Sequence, residues 1–233
     1  MKESLPAPRR LDKYAFEMIL VVALITLHDF LLSDALSLPL ALQRSTLTQL
    51  RALDRVVSSA EFLVPVVFII ALLFLWLVGR NEWVSRLAIV FLAWVTLRLV
   101  AKVALVLFSI VARPLKQGTG ILMDSIVLWF AIFLLFGIWY WIIDGGGPRA
   151  RRDGTAIRFD FGFPQQSAVY SGWERWHPGF WDYVFLGFCG STQFGLGDTI
   201  VLSLRAKFLL MLQATLSVAV IVFVASIAIG IIH

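Results

Sequence analysis

The residues best placed for chemistry form one short polar turn, Ser191-Thr192-Gln193-Phe194-Gly195-Leu196-Gly197-Asp198. A short apolar run from Asp182 precedes this turn, and a long apolar segment follows it. The turn lies beside segments of membrane-spanning length, but its glycines and polar residues interrupt it too often for a spanning helix. Irregular backbone is tolerated at membrane depth only where protein covers it or where it lines a water-filled path. The turn is therefore the strongest indication of function in the sequence.

A second group of candidates consists of charges inside apolar segments. Arg98 and Lys102 lie four residues apart on one face of a predicted helix, and Asp124 lies near the start of the next apolar segment. Charges inside a span are costly, so they are usually paired or functional. We expect structural salt bridges, with Glu17, Asp29 or Asp124 as partners. A role in a transporter or a membrane enzyme is the alternative.

The rest of the composition argues against catalytic and metal sites. Cys189 is the only cysteine, so neither an intrachain disulfide nor a cysteine-based metal cluster can form. The chain has only three histidines, so we do not expect a histidine-rich metal site. No nucleophile is found with a general base in a recognisable arrangement. We therefore expect no enzymatic activity, no metal site and no cofactor. The net charge of +5 is typical of basic loops that face anionic lipid headgroups, and we expect no nucleic-acid partner.

The composition also identifies the class of protein that must position these residues. Sixty per cent of the residues are hydrophobic, 15% are charged, and the mean hydropathy is +0.86. A soluble chain this apolar could not cover its surface with polar groups, whereas apolar runs of about 18 or more residues can span a bilayer. We therefore predict an all-α integral membrane protein. Its five predicted spans are residues 14–32, 62–79, 84–112, 121–143 and 203–232.

The segments around the spans carry further signals. Residues 14–32 begin like a signal peptide, and we interpret them as a retained anchor, with a cleaved signal as the alternative. Residues 33–60 carry apolar residues at helical spacing together with three arginines, which favours an amphipathic helix at the membrane surface. A helix that caps the bundle is the alternative. The sequence Asp-Gly-Gly-Gly-Pro at 144–148 should end the fourth span sharply.

The chain therefore divides into N-terminal membrane helices, residues 1–112, and a region that holds the polar turn, residues 113–233. The last span carries small residues along one stripe, Ala214, Ser217, Ala225 and Ala228. Small side chains let helices approach closely, so we expect this stripe to be a packing face. Pore lining is the alternative.

From Asp182 to Asp198 the chain reads DYVFLGFCGSTQFGLGD, which resembles the pore helix and selectivity filter of the potassium-channel superfamily. Filters of that superfamily end in Thr-x-Gly-(Tyr/Phe)-Gly-Asp, and the spacing here matches without a gap. The resemblance extends over about residues 121–232. It implies that residues 182–191 form a pore helix, that residues 193–197 form a filter strand, and that Asp198 is the acid after the filter. It also implies one re-entrant loop before the last helix.

The resemblance implies conduction through backbone carbonyls, which replace the hydration shell of a cation. Gly195 and Gly197 would supply the positive φ angles that such a strand requires. One loop per chain implies a homo-tetramer in the bilayer, with K⁺ or another monovalent cation as the permeant ion. Gln193 replaces the threonine of the family and Leu196 replaces its bracing aromatic residue, so strict selectivity is not implied. We expect a pore-loop cation channel, with a non-conducting membrane protein that uses the loop as a structural or docking element as the alternative.

The turn at 144–148, Phe163-Pro164-Gln165 and the pore-like end also resemble a group of uncharacterised small bacterial integral membrane proteins. That resemblance implies the bacterial cytoplasmic (inner) membrane. Two arguments on orientation disagree. The loops on the N-terminal side carry eleven Lys and Arg residues and the other side carries five, which favours residues 144–198 inside. A potassium-type filter faces outside, which would require a cleaved first segment, an N-out topology, an extra membrane-entering segment or an inverted loop.

Overall fold

The computed structural model describes residues 48–112, 118–166, 172–173, 176–192, 195 and 199–232, together with Ile19 and Ala23. The chain divides into two compact units, and the boundary between them lies within one helix, between Trp94 and Val95. Among the described residues, those up to Trp94 belong to the first unit and those from Val95 onward belong to the second.

The described part of the chain is mainly helical. Its helices are α1 (Thr48–Leu77), α2 (Asn81–Ala112), α3 (Gly118–Ile143), α4 (Pro148–Arg152), α5 (Phe180–Thr192) and α6 (Leu204–Ile232). Two 3₁₀ turns cover Asp144–Gly146 and Pro164–Gln166. Two short strands, β1 (Phe161–Gly162) and β2 (Ile200–Val201), pair antiparallel, with Phe161 opposite Val201 and Gly162 opposite Ile200.

Three of these helices are long and apolar enough to cross a membrane, over Trp83–Ala104, Ser125–Gly146 and Leu204–Ser226. They correspond to the predicted third, fourth and fifth spans, and the predicted helical architecture is confirmed to that extent. The second predicted span corresponds to a shorter apolar helical stretch, Leu63–Leu77. The first predicted span, residues 14–32, lies outside the described residues except for Ile19 and Ala23.

The structure differs from the prediction at the start of the second span. The sequence separates an interfacial segment, residues 33–60, from a span at 62–79, whereas Thr48–Leu77 is one continuous helix with Pro65 inside it. No glycine or proline lies between residues 48 and 64, so nothing in the backbone chemistry ends the helix near residue 60. Residues 48–60 therefore belong to the same helix as the predicted second span.

The first unit contains α1 and the first part of α2. Phe68 of α1 packs against Phe91 of α2, with their ring centroids 5.0 Å apart. The tight connection between the two helices contains Gly79, whose φ of 75° is accessible to glycine at little cost.

In the second unit, α3 ends where the sequence predicts. Gly145, Gly146 and Gly147 have φ angles of 59°, 84° and 100°, and this run of left-handed residues stops the helix. Pro148 then begins the short helix α4. The predicted sharp stop at 144–148 is therefore confirmed.

Helix α5 packs against α3 so closely that their backbones touch. A β-carbon on Gly187 would collide with the carbonyl oxygen of Phe133 and would lie 3.0 Å from the backbone nitrogen of Gly137. A β-carbon on Gly137 would lie 2.9 Å from Cα of Val184. Both glycines are therefore required by the close approach of the two helices.

The chain around α5 makes an excursion, residues 180–203, from one end of α3 to its middle and back. The start of α5 lies beside the end of α3, because Tyr183 donates to Asp144. The end of α5 lies beside Trp129, which is halfway along α3 and donates to the carbonyl oxygen of Ser191 at 3.4 Å. The chain then returns to its starting level, where Arg205 donates to the carbonyl oxygen of Ile143 at 3.0 Å. The 13 residues of α5 measure only about 20 Å.

Gly187→Ala should destabilise the second unit, although alanine is the better helix former by about 1 kcal/mol. The added β-carbon would strike the backbone of α3, and overpacking of this kind costs about 1–3 kcal/mol. We expect a lower midpoint of thermal unfolding in detergent. Gly179→Ala is the control, because its β-carbon meets nothing closer than Oδ2 of Asp182 at 3.5 Å. Equal midpoints for the two variants would contradict the close helix crossing.

Candidate functional site

The polar turn is described at Ser191, Thr192 and Gly195. Gly195 has a φ of 87°, which glycine adopts at little steric cost. It is exposed, and a β-carbon placed on it would have no heavy atom within 4 Å. The backbone at this point is therefore left uncovered by the described residues of its own chain. The remaining predicted filter residues, Gln193, Phe194, Leu196, Gly197 and Asp198, lie outside the described residues.

Thr192 is the last residue of α5. Its hydroxyl donates to the carbonyl oxygens of Phe188 and Cys189, at 3.1 and 3.2 Å. The bond to Cys189 satisfies one of the four carbonyl groups that a helix end leaves without an intrahelical partner. Thr192 also lines an apolar cleft of about 340 Å³ between α3 and α6. The other lining residues are Ser125, Ile126, Trp129, Phe130, Val220, Ile221 and Val224.

Ser191, one residue earlier, is fully buried and is bonded from two helices. Its hydroxyl oxygen accepts hydrogen bonds from Nε2 of Gln213 at 2.7 Å and from the hydroxyl of Ser217 at 3.0 Å. Its carbonyl oxygen accepts the bond from Nε1 of Trp129. The last turn of α5 is therefore fixed to both α3 and α6.

Gln213 is the centre of this group, which we name the mid-bundle network: Tyr140, Gly187, Ser191, Gln213 and Ser217. Gln213 has no exposed surface. Besides its bond to Ser191, its Nε2 donates to the carbonyl oxygen of Gly187 at 2.5 Å, and its Oε1 accepts from the hydroxyl of Tyr140. The amide thus joins α3, α5 and α6 at one point.

A second polar cluster, the end cluster, lies where α3 ends and α5 begins. The buried carboxylate of Asp144 accepts the hydroxyl of Tyr183 at 2.5 Å and the backbone N–H groups of Asp160 and Phe161 at 2.7 and 3.2 Å. Arg151 donates to the carbonyl oxygen of Asp144 at 2.5 Å and lies over the Tyr183 ring, 5.0 Å from its centroid. Burial lowers the pKa of Arg151 from its ordinary value.

Asp160 ties the connector before α5 to the start of α6. Its carboxylate accepts two bonds of 2.6 Å from the guanidinium of Arg205, and a bond of 2.5 Å from the hydroxyl of Ser203. Its carbonyl oxygen accepts from the backbone N–H of Leu202 at 2.9 Å, next to the β1–β2 pair. Burial of Asp160 opposes its ionisation, but the bonds from Arg205 and Ser203 outweigh burial and lower its pKa.

The structure separates the other predicted site residues. Ser217 is buried against α5, whereas Ala225, on the same stripe of α6, is exposed and lies beyond the end of α5. Ala214 is half-buried, and the side chain of Ala228 lies outside those described. The stripe is therefore a packing face at Ser217 and an open surface at Ala225.

The charges predicted inside spans lie on α2 and α3. Arg98 and Lys102 are half-buried, and each has an interaction partner. The side chain of Asp124 lies outside those described, so the expected salt bridges stay a prediction.

Gln213, Tyr140 and the pairing of Asp160 with Arg205 are not among the residues predicted from the sequence. Gln213 could have been found as an amide inside an otherwise apolar helix, because polar side chains in such helices usually bond to a neighbouring helix. The Asp160 pair has no signal in the spacing, because its members are 45 positions apart.

Acidification should weaken the Asp160 pair. The pKa of this carboxyl is lower in the folded protein than in an unfolded aspartate, about 3.9. Its ionised form therefore stabilises the fold above that value, and the stabilisation is lost as the pH falls through the lower, folded-state pKa. We expect Asp160→Asn to lower the free energy of unfolding by about 2 kcal/mol at neutral pH. The difference between wild type and variant should shrink below about pH 4, measured by thermal unfolding in detergent.

Asp153→Asn is the matched control for this experiment. Asp153 pairs with Arg149 at 3.6 Å, and both side chains are more than half exposed. Exposed pairs contribute between about 0 and 1 kcal/mol. A loss at Asp153 equal to that at Asp160, or a pH-independent loss at Asp160, would contradict the assignment.

Among the described residues of the polar turn, Gly195 has an exposed backbone, and it follows a helix whose last turn is bonded to α3 and α6. Comparisons with models of protein families, with curated proteins and with solved structures find no match for this chain.

Proposed function

We propose that the chain is one subunit of a pore-loop cation channel, in which four copies bring residues 192–198 around a common axis. The observation that carries the proposal is the excursion 180–203, which reaches the middle of α3 at Ser191 and contains the exposed Gly195. Helix α5 is about 20 Å long and runs from the end of α3 to its middle, and the chain after it returns to the end of α3. This is the path of a re-entrant loop. The helices that flank it, α3 and α6, are both long enough to cross a membrane.

The backbone at Gly195 supports an assembly of several copies. In hydrocarbon, a backbone group without a hydrogen-bond partner costs several kcal/mol, so irregular backbone must face protein or water. The described residues of a single chain do not cover Gly195. Copies of the loop around a water-filled axis would satisfy this requirement.

The chemistry of the loop favours a cation. The carboxyl end of α5 points to the loop, and the end of a helix carries a partial negative charge of about half an elementary charge. Backbone carbonyl oxygens can replace the hydration shell of a monovalent cation. K⁺ or another monovalent cation is therefore the proposed permeant ion, with selectivity left open by Gln193 and Leu196.

A lipid environment follows from the same proposal. Trp181 and Phe185 of α5 are 76% and 61% exposed in the single chain. Large apolar surface of this kind needs a cover of lipid or neighbouring copies. We propose an integral membrane protein of the bacterial cytoplasmic (inner) membrane, an assignment that also draws on the sequence resemblance.

The second candidate is a non-conducting membrane protein in which α5 is a structural plug. It is favoured by the tight burial of the inner face of α5, where Tyr183, Leu186 and Ser191 are almost inaccessible. The same contacts would stabilise a protein that has no pore. A monomer or dimer in mild detergent, measured by native mass spectrometry, would favour this candidate over the tetramer.

Substitution of Gly195 tests the channel. Because a β-carbon there meets no heavy atom of the chain within 4 Å, the effect of alanine comes from the backbone conformation. L-Alanine disfavours left-handed backbone by about 1–2 kcal/mol, whereas D-alanine prefers it. We expect Gly195→Ala to lower K⁺ flux in proteoliposomes about tenfold or more, and a semisynthetic D-alanine at this position to conduct.

Gly172→Ala is the matched control. Gly172 has a φ of 90° and the same open surroundings, but it lies in the connector before α5. Its substitution should leave flux unchanged. Wild-type flux equal to that of empty vesicles, or equal flux in both alanine variants, would refute the channel.

A further inference from the structure

The side chain of Gln213 is buried among apolar neighbours of α6, although it carries one of the more polar uncharged groups in proteins. Leu216, Val220 and Phe223 of the same helix are buried with it. A buried amide without hydrogen bonds costs about 2–7 kcal/mol, so an amide at this position must be fully bonded. In the structure the amide nitrogen donates two hydrogen bonds and the amide oxygen accepts one, which meets this requirement.

The direction of these bonds is fixed by the chemistry of the partners. The carbonyl oxygen of Gly187 can only accept, so the nitrogen of Gln213 must face α5. The oxygen of Gln213 then faces α3, and the hydroxyl of Tyr140 must donate to it. The amide is therefore held in one orientation between two helices.

The bonds from Gln213 reach the part of α5 that leads directly into the loop. Gly187 and Ser191 are separated by one helical turn, and Ser191 and Thr192 are the first two residues of the polar turn. A shift of Gln213 would therefore move the last turn of α5, where the loop begins. Leu196, within the loop, has no side-chain hydrogen-bonding group, so the loop cannot be held by a bond from this side chain.

We propose that Gln213 is the positioning residue of the pore loop and thereby determines its discrimination between K⁺ and Na⁺. This inference rests on the proposed channel function. Gln213 would act through Ser191 and Gly187 without contacting the ion. Carbonyl oxygens distinguish cations of different size by their number and placement, so a loop that starts from a loosened helix end discriminates less.

The test uses full-length protein in proteoliposomes, with the K⁺-to-Na⁺ permeability ratio read from reversal potentials. Gln213→Leu removes all three bonds at similar volume, and we expect the ratio to change toward one by about tenfold while K⁺ flux persists. Thr215→Val is the control, because Thr215 is exposed on the same helix and its hydroxyl donates to the carbonyl oxygen of Met211 within that helix. The control should keep the wild-type ratio.

Gln213→Glu supplies a second readout that a purely structural role would not produce. The protonated carboxyl can donate one hydrogen bond, whereas the carboxylate can only accept and would repel the carbonyl oxygen of Gly187. We expect the permeability ratio of this variant to fall as the pH rises, while the ratio of wild type stays constant. This readout also decides the question if Gln213→Leu fails to assemble.

The two proposals fail in different ways. If wild type carries no flux above empty vesicles, the channel function and this inference both fall. If wild type conducts but Gln213→Leu keeps its permeability ratio, or Gln213→Glu has a ratio independent of pH, this inference alone is overturned.

Discussion

The contact on which the rest of the second unit depends is the crossing of α3 and α5 at Gly137 and Gly187. Because neither residue has a side chain, the two backbones touch. Tyr183, Gly187 and Ser191 follow one another at four-residue intervals, so they lie on one face of α5. The crossing at Gly187 thereby fixes the positions of Tyr183 and Ser191 along α3. Tyr183 then lies in the end cluster and Ser191 in the mid-bundle network. A larger residue at the crossing would move all three together.

Most of the buried polar side chains described in this unit lie in two places, and each place joins the same three helices. In the end cluster, Asp160 and Arg205 form a two-bond charged pair, and the carboxylate of Asp144 is bonded to a hydroxyl and two backbone N–H groups. In the mid-bundle network the partners are uncharged, and Gln213 bonds to hydroxyl and carbonyl groups. This division agrees with energetics, because isolated charges are much more expensive than amides in apolar surroundings. Both groups hold the side of α5 that faces its own chain.

The sequence predicts the parts of this structure that depend on local chemistry. The resemblance to pore-loop sequences implies a helix over residues 182–191, and α5 covers Phe180–Thr192, with Asp182 accepting from the backbone N–H of Gly179 at 2.7 Å near its start. The three glycines after Asp144 end α3 as expected. What the sequence could not predict depends on contacts between distant residues. Examples are the 73-residue separation of Tyr140 and Gln213 and the pairing of β1 with β2.

The extent of α1 and the roles of the filter residues are also not determined by residue types and their spacing. Continuity of α1 through residue 60 follows from the absence of any helix breaker, whereas the arginine pattern suggests a separate surface helix. The ion-filter roles of Gln193, Leu196 and Asp198 come only from the sequence resemblance, so they remain predictions. The exposed, left-handed backbone at Gly195 agrees with the conformation that the resemblance implies.

Some of the hydrogen-bond partners that fix α5 and its connector belong to α6, which is synthesised after them. Gln213, Ser217 and Arg205 all belong to α6, whereas the groups that they bind precede it in the chain. A nascent chain that stops before α6 lacks these bonds to Ser191 and Asp160, and a buried group that loses its partner costs about 1–3 kcal/mol. Helix α5 can therefore cross α3 as soon as both have been made, but its buried polar face is fully bonded only once α6 is in place.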